Sequence, residues 1–271
     1  MYKMVVFDID GTLLPFGQNE LSPEIKTLFK RIKDKGLILV LATGRDFVSI
    51  GDIHENENVD YFIGANGSFV YDLKNPKYIL NSSIKYDDYE NYYKDVLLTH
   101  QNNIYNVILS DNEHVFVWDY QKMDGHWFWE PFKDRFKDFD LAKEQINQNQ
   151  FHLVTVNCTD NGTLIEESRK YFSQNNSSLN IQAYWKNGFF VANQNITKAY
   201  AIKTLCEHLK IDLEHVIAFG DGENDLQMLK TVGFGVAMDN ASDLVKSVAK
   251  DVTTSVEEFG TITYLEKNGI I

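Results

Sequence analysis

Residues Met4-Val5-Val6-Phe7 form a continuous apolar run that stops at Asp8-Ile9-Asp10-Gly11. A run this short, apolar at every position and closed by a turn residue, predicts a strand buried on both faces. Side chains alternate along a strand, so Asp8 and Asp10 project together into the space beyond its end. In open α/β sheets, ligands gather outside the carboxyl ends of the strands. Two carboxylates there repel each other unless a cation or a shared proton relieves them. Taken alone, the segment also reads as a surface turn, where Asp and Gly are common. The rest of the chain decides between the two readings.

The same grammar recurs twice. Ser22-Pro23-Glu24 reads as an N-cap with Pro at the first helical position, and Ile25, Leu28, Phe29 and Ile32 follow at helical spacing up to Gly36. Leu37–Ala42 is a second buried-strand run, ending at Thr43-Gly44-Arg45. Strand, helix, strand predicts a right-handed parallel unit. Phe47–His54 reads as a weak helix, Tyr61–Ile63 as a third strand, and Ser68–Tyr71 with Tyr78–Leu80 as a hairpin. Far downstream, a helix over Thr197–Leu209 carries Lys198 in its first turn. Val216–Phe219 is then a third apolar run, ending at Gly220-Asp221-Gly222-Glu223-Asn224-Asp225. The fold class is therefore α/β, a doubly wound parallel sheet with a Rossmann-like core.

Between these halves the texture changes, with dense aromatic and amide residues. A helix is expected over Tyr86–Gln101, and further strands over Tyr105–Leu109, Glu113–Asp119, Phe151–Asn157 and Asn180–Trp185. The expected organisation is a core of residues 1–81 and 189–271, interrupted by an inserted α+β cap over 82–188.

Composition narrows the partners. The chain has 271 residues, 44% of them hydrophobic, enough for a real core, and a net charge of −13. That acidity disfavours binding to a nucleic-acid backbone, though a local pocket can still accept a small anion. Two cysteines in no CxxC arrangement argue against a disulfide framework or a zinc site and suit a reducing compartment. The start resembles no signal segment and no apolar stretch reaches membrane-spanning length, so no membrane partner and a cytoplasmic location are expected.

If three strand ends lie along one edge of a parallel sheet, residues distant in sequence share one crevice. Asp8, Asp10 and Asp221 supply oxygen ligands of the kind Mg²⁺ takes, with room for water and phosphate. Thr43 and the N–H groups at Gly44 suit an anion, and Lys198 adds a compact positive charge. An EF-hand reading fails, because its sixth and twelfth positions would be Leu13 and Asn19. A dinucleotide fingerprint fails too, since no GxGxxG follows the first strand.

The motifs DIDGTLL at 8–14, ATGR at 42–45, GANGS at 64–68, TK at 197–198 and AFGDGENDLQML at 218–229 resemble those of the haloacid dehalogenase (HAD) superfamily, in its Cof-type phosphatase branch with a type IIB cap. Gly235–Ala241 resembles that branch as well. Glu257-Glu258-Phe259-Gly260 departs from the acidic-Gly pair usual near the C-terminus. The resemblance implies that Asp8 attacks phosphorus to form an aspartyl-phosphate, while Asp10 is the acid/base. It also implies that Mg²⁺ is held by Asp8, Asp221 and the backbone carbonyl of Asp10. Thr43, Gly44, Lys198 and Asn224 would hold the phosphoryl group, with Asp225 orienting the metal shell or Lys198. The implied activity is a Mg²⁺-dependent phosphatase of small phosphorylated metabolites, sugar phosphates foremost, working as a monomer or weak homodimer. A sugar phosphomutase with the same nucleophile and a phosphometabolite-sensing regulator are the alternatives.

Arg45, next to the Thr43-Gly44 turn, reads equally as a salt-bridge residue stabilising the fold and is left out of the substrate set. In the cap, His126 and Trp127 are candidates for reading the leaving group, although aromatic clusters in small modules more often form core.

Overall fold

The computed structural model describes residues 1–119 and 130–271. The chain opens with β1 (Met4–Phe7), α1 (Pro23–Asp34), β2 (Ile38–Ala42), β3 (Tyr61–Gly64), β4 (Phe69–Asp72) and β5 (Lys77–Asn81). The middle part contains α2 (Tyr86–Tyr92), β6 (Ile104–Ser110), β7 (Val115–Trp118), β8 (Phe136–Asp138), α3 (Ala142–Gln145), β9 (Val154–Cys158), α4 (Asn161–Gln174), β10 (Leu179–Trp185) and β11 (Gly188–Asn193). The last part carries α5 (Lys198–Leu209), β12 (Val216–Gly220), α6 (Leu226–Thr231), β13 (Phe234–Ala237), α7 (Asp243–Val248), β14 (Asp251–Val252) and α8 (Gly260–Lys267).

Two compact units result: Met1–Gly44 with Ile50–Leu80 and Thr197–Ile271, and Arg45–Ser49 with Asn81–Ile196. In the first, the described strands form one sheet in the order β14-β13-β12-β1-β2-β3-β4-β5. It is parallel from β14 to β3, with β4 antiparallel to β3. The central strand β1 lies between β12 and β2, and Phe7 is in register with both Phe219 and Leu41. The chain winds outward from β1 in both directions, which makes the end of β1 the topological switch point where such sheets bind ligands.

Local chemistry explains why α1 starts and stops where it does. Ser22 Oγ accepts from the Ile25 N–H at 3.3 Å, Pro23 occupies the first turn, and Ile25, Leu28, Phe29 and Ile32 are buried. The expectation of a helix over Phe47–His54 does not hold. Instead, Asp46 Oδ1 accepts from the Ser49 N–H at 2.8 Å while Ser49 Oγ accepts from the Asp46 N–H at 2.9 Å. These reciprocal bonds close a capped turn over residues 46–49, and only a 3₁₀ turn at Gly51–Glu55 follows.

The second unit has its own sheet, β10-β11-β9-β6-β7-β8, and its own core, which includes Tyr89, Tyr92, Phe116, Phe151, Phe189 and Val191. The segment Arg45–Ser49 belongs here. Val48 packs with Ile108, Val115, Val117 and Phe132, and the Ser110 hydroxyl hydrogen-bonds the Asp46 carboxylate. Two expectations are corrected in this unit. The α-helix begun at Tyr86 ends at Tyr92 and continues as a π turn over Tyr93–Leu97 and a 3₁₀ turn over Leu98–His100. The extra residue in the π turn resets the helical phase, so that Val96 and Leu97 both reach the core that Tyr89 and Tyr92 already face. Residues 189–193, expected in the core domain, form β11, paired with β9 and β10. Burial of Phe189 and Val191 in this unit's core holds them there, so the return to the first unit comes at Thr197.

Among the described residues, no helix is long and apolar enough to cross a membrane.

His152 is buried in the second unit with Nε2 2.6 Å from Asn81 Oδ1. Burial depresses its pKa to about 4, against the opposing backbone interaction at Gln150. The folded chain thus refuses a proton that the unfolded chain takes up below about pH 6.5. Stability is lost as pH falls from about 6.5 towards 4, on the order of 3 kcal/mol at the foot of that window. Urea unfolding at pH 7 and pH 4.5 should show this loss, and His152→Gln should lose clearly less than the wild type. Equal losses in both proteins would refute the assignment.

Candidate active site

The parallel register carries the ends of β1, β2, β3 and β12 to one edge. The Asp8 N–H donates to Phe219 O at 3.0 Å and the Thr43 N–H to Ile63 O at 2.9 Å, so each polar loop leaves its strand still tied to the neighbour. From α5, Lys198 reaches this edge with its side chain fully buried. Its Nζ donates to Asp8 Oδ1 at 2.5 Å and to Asp225 Oδ1 at 2.7 Å. Thr197 caps that helix, its Oγ1 accepting from the Tyr200 N–H at 3.1 Å.

The three buried carboxylates are differently engaged. Asp225 is saturated: besides Lys198, its Oδ2 accepts from the N–H groups of Asp221 (3.1 Å) and Gly222 (3.0 Å), fixing the loop after β12. Asp221 takes a hydrogen bond from Thr12 Oγ1 to its Oδ1 at 2.9 Å, and Asp8 takes the lysine on its Oδ1. Among the described residues, neither of these two shows a hydrogen bond to its Oδ2. The close fit of Asp221 depends on Gly11, where an added Cβ would lie 2.1 Å from Asp221 Oδ2, at a φ of +83° that itself disfavours a side chain.

The charges do not balance. Burial pushes the Asp8 carboxyl well above its ordinary value; Lys198 opposes this, while Asp225 and Asp221 add to it. Burial, then Asp225, push Asp221 up to about 7, with Asp10 contributing to the rise. Burial alone would lower Lys198, but Asp225 and Asp8 outweigh it and hold the ammonium charged. One cation faces an excess of carboxylates.

Side-chain oxygens of Asp8, Asp221 and Asp225 lie within 4.8 Å of one another. A hard divalent cation is the kind of group that this oxygen set fits, because it supplies positive charge at crowded carboxylates and accepts oxygen donors alone. With Asp225 already saturated, Asp8 and Asp221 are the side chains suited to hold it.

Asp10, half-buried, lies in a turn closed by the Gly11 N–H to Leu14 O at 2.7 Å. Thr43 is buried beside Gly44. Asn224 Nδ2 donates to Asn66 Oδ1 at 2.9 Å, and an added Cβ on Gly44 would lie 3.3 Å from that same oxygen. The first unit therefore brings together Asp8, Asp10, Thr43, Gly44, Lys198, Asp221, Asn224 and Asp225. His126 and Trp127, with Asp124 and Trp129, lie outside the described residues. Two residues of the site had no assigned part in the sequence, Thr12 and Asn66. Both stand inside the quoted motifs, but only the fold shows what their side chains touch.

The sequence model of the haloacid dehalogenase-like hydrolases matches residues 5–265. The chain belongs to that family. Among the phosphatases similar to it is 5-amino-6-(5-phospho-D-ribitylamino)uracil phosphatase YcsE of Bacillus subtilis, 27% identical over 94% of this chain and 92% of that protein. The solved structure of BT1666 from Bacteroides thetaiotaomicron, a phosphatase of the same superfamily, is 27% identical with a TM-score of 0.79, covering 100% of this chain and 96% of that one. The subclass IIB sugar phosphatase BT4131 shares the fold at a TM-score of 0.78 and 24% identity, over 99% of this chain and 100% of that one.

In this HAD chain, Lys198 bridges two buried carboxylates with a single positive charge. Lys198→Met should leave both uncompensated and cost about 3–5 kcal/mol of stability, the usual cost of removing one partner from a buried ion pair. Equilibrium urea unfolding of the two proteins checks this, and a midpoint unchanged by the substitution would contradict it.

Proposed function

We propose that this HAD-family chain is a Mg²⁺-dependent phosphomonoesterase of small phosphorylated metabolites, sugar phosphates foremost, acting through an aspartyl-phosphate on Asp8. The observation that carries the reading is the placing of Asp8 at the end of the central strand, one oxygen held by Lys198 and the other left for reaction. Asp8 attacks phosphorus as the bond to the leaving oxygen breaks, and Asp10 gives that oxygen its proton. Asp10 then takes a proton from the water that attacks phosphorus. The bond between phosphorus and the Asp8 oxygen breaks, releasing phosphate and restoring the carboxylate. Thr43, Gly44 and Asn224 offer neutral donors to the phosphoryl oxygens, and Lys198 opposes protonation of Asp8 and orients it. Mg²⁺, held by Asp8, Asp221 and the Asp10 carbonyl, would neutralise charge on the phosphoryl group.

The substrate class is supported by YcsE, whose own substrate is a small phosphorylated ribityl compound. The role of the second unit as the part that distinguishes leaving groups belongs to the same reading. Cys158 and Cys206 are buried thiols, which suits a reducing, cytoplasmic setting.

Phosphate release from a panel of sugar phosphates and p-nitrophenyl phosphate should require Mg²⁺ and cease with EDTA. Asp8→Asn should abolish it. Asp10→Asn should lower kcat by about 10²–10⁴-fold, the range of a positioned acid/base. Turnover that survives Asp8→Asn would overturn the mechanism.

A further inference from the structure

The loop after β3 holds positive φ at three successive residues. Ala65, Asn66 and Gly67 all have positive φ, at 48°, 55° and 101°. Left-handed backbone costs a non-glycine residue on the order of 1–3 kcal/mol, and it persists only where the surroundings impose it. Here they do. The Asn66 N–H donates to Thr43 O at 2.9 Å. Gly67 sits so close to the start of α5 that an added Cβ would lie 2.3 Å from Thr197 O. The loop is thus wedged between the Thr43 strand end and the helix that carries Lys198.

The wedge presents one side chain. Asn66 is only 3% exposed. Its Oδ1 accepts from Asn224 Nδ2 at 2.9 Å and lies against Gly44. Its Nδ2, also buried, has no hydrogen-bond partner among the described residues. A buried donor left unpaired costs about 1–3 kcal/mol, and such a group in a folded protein calls for an explanation. The neighbours of this donor, Gly44 and Asn224, are the groups that hold the phosphoryl oxygens in the proposed reaction.

We propose that Asn66 is a phosphoryl-binding residue, its Nδ2 donating to an oxygen of the transferring group while its Oδ1 holds the Asn224 amide in place. The assignment rests on the phosphatase reading and adds to it a neutral donor, one that strengthens binding without disturbing the Lys198 charge balance. The left-handed backbone suits this task, because Asn is among the few non-glycine residues that adopt it readily.

Two variants separate binding from folding. Asn66→Asp tolerates the same backbone and keeps an oxygen for Asn224, but replaces the donor with a negative charge. Asn66→Gly keeps the backbone and removes the side chain. Binding of inorganic phosphate in the presence of Mg²⁺, measured by calorimetry, should weaken about 10- to 100-fold in Asn66→Gly, the worth of one hydrogen bond to a charged group. It should weaken further in Asn66→Asp. kcat on p-nitrophenyl phosphate should fall in both variants, with the melting temperature of Asn66→Gly near that of the wild type. Wild-type phosphate affinity in Asn66→Asp would overturn the assignment of Asn66 alone. A wild-type protein that neither binds phosphate nor releases it from esters would overturn this assignment together with the phosphatase reading.

Discussion

The buried ammonium of Lys198 is the charge on which the rest of the site depends. Its two hydrogen bonds, to Asp8 and Asp225, join residues from the first strand and from the loop after β12. Removing two carboxylates from water is costly, and a buried pair persists only when geometry and further hydrogen bonds compensate. For Asp225 they do so completely, through Lys198 and two backbone N–H groups. For Asp8 and Asp221 they do so by half, through one oxygen each. This difference in hydrogen bonding separates carboxylates that are chemically identical. The saturated one fixes a loop, and the half-satisfied ones remain available for a cation or a reacting atom.

The acidity of the chain at large, −13 overall, makes the local balance matter more. A phosphate dianion approaching this edge meets a lysine whose charge is already matched by two carboxylates. Among the described residues that the proposed reading gives to the phosphoryl group, the others are neutral donors: Thr43, the backbone at Gly44, Asn224 and, in the inference above, Asn66. Neutral donors orient an anion well but do not offset like charges nearby. In the proposed reading, a divalent cation at Asp8 and Asp221 is therefore part of what makes the site able to bind substrate.

Much of this was legible in the sequence, and the reasons are local. Buried strands read as unbroken apolar runs, and α1 announced its limits through Ser22, Pro23 and Gly36. The strand-end residues Asp8, Thr43 and Asp221 could be placed on one edge because a parallel sheet leaves few alternatives. What could not be read depended on contacts made across the chain. A boundary drawn at 189 put Phe189 and Val191 in the first domain, yet they fill the core of the second unit. Tyr86–Gln101 looked like one helix because periodicity does not reveal a π turn that resets the phase. Thr12 lay in plain view within the first motif, but a threonine after glycine says nothing of a carboxylate 209 positions later.

Asn66 shows most clearly where pattern ends and physics begins. Its neighbours Ala65 and Gly67 mark a turn, and a turn accounts for the asparagine without any function. That account explains the backbone but leaves an amide nitrogen sealed from solvent, with its oxygen already occupied by Asn224. A residue chosen only for a left-handed turn has no reason to bury a polar side chain, since glycine serves the backbone at no such cost. The side chain is explained if the missing partner arrives with the substrate. On that view the unpaired donor is satisfied when a phosphoryl oxygen occupies the place beside Gly44, while the left-handed backbone, held by Thr43 O and the start of α5, aims it there.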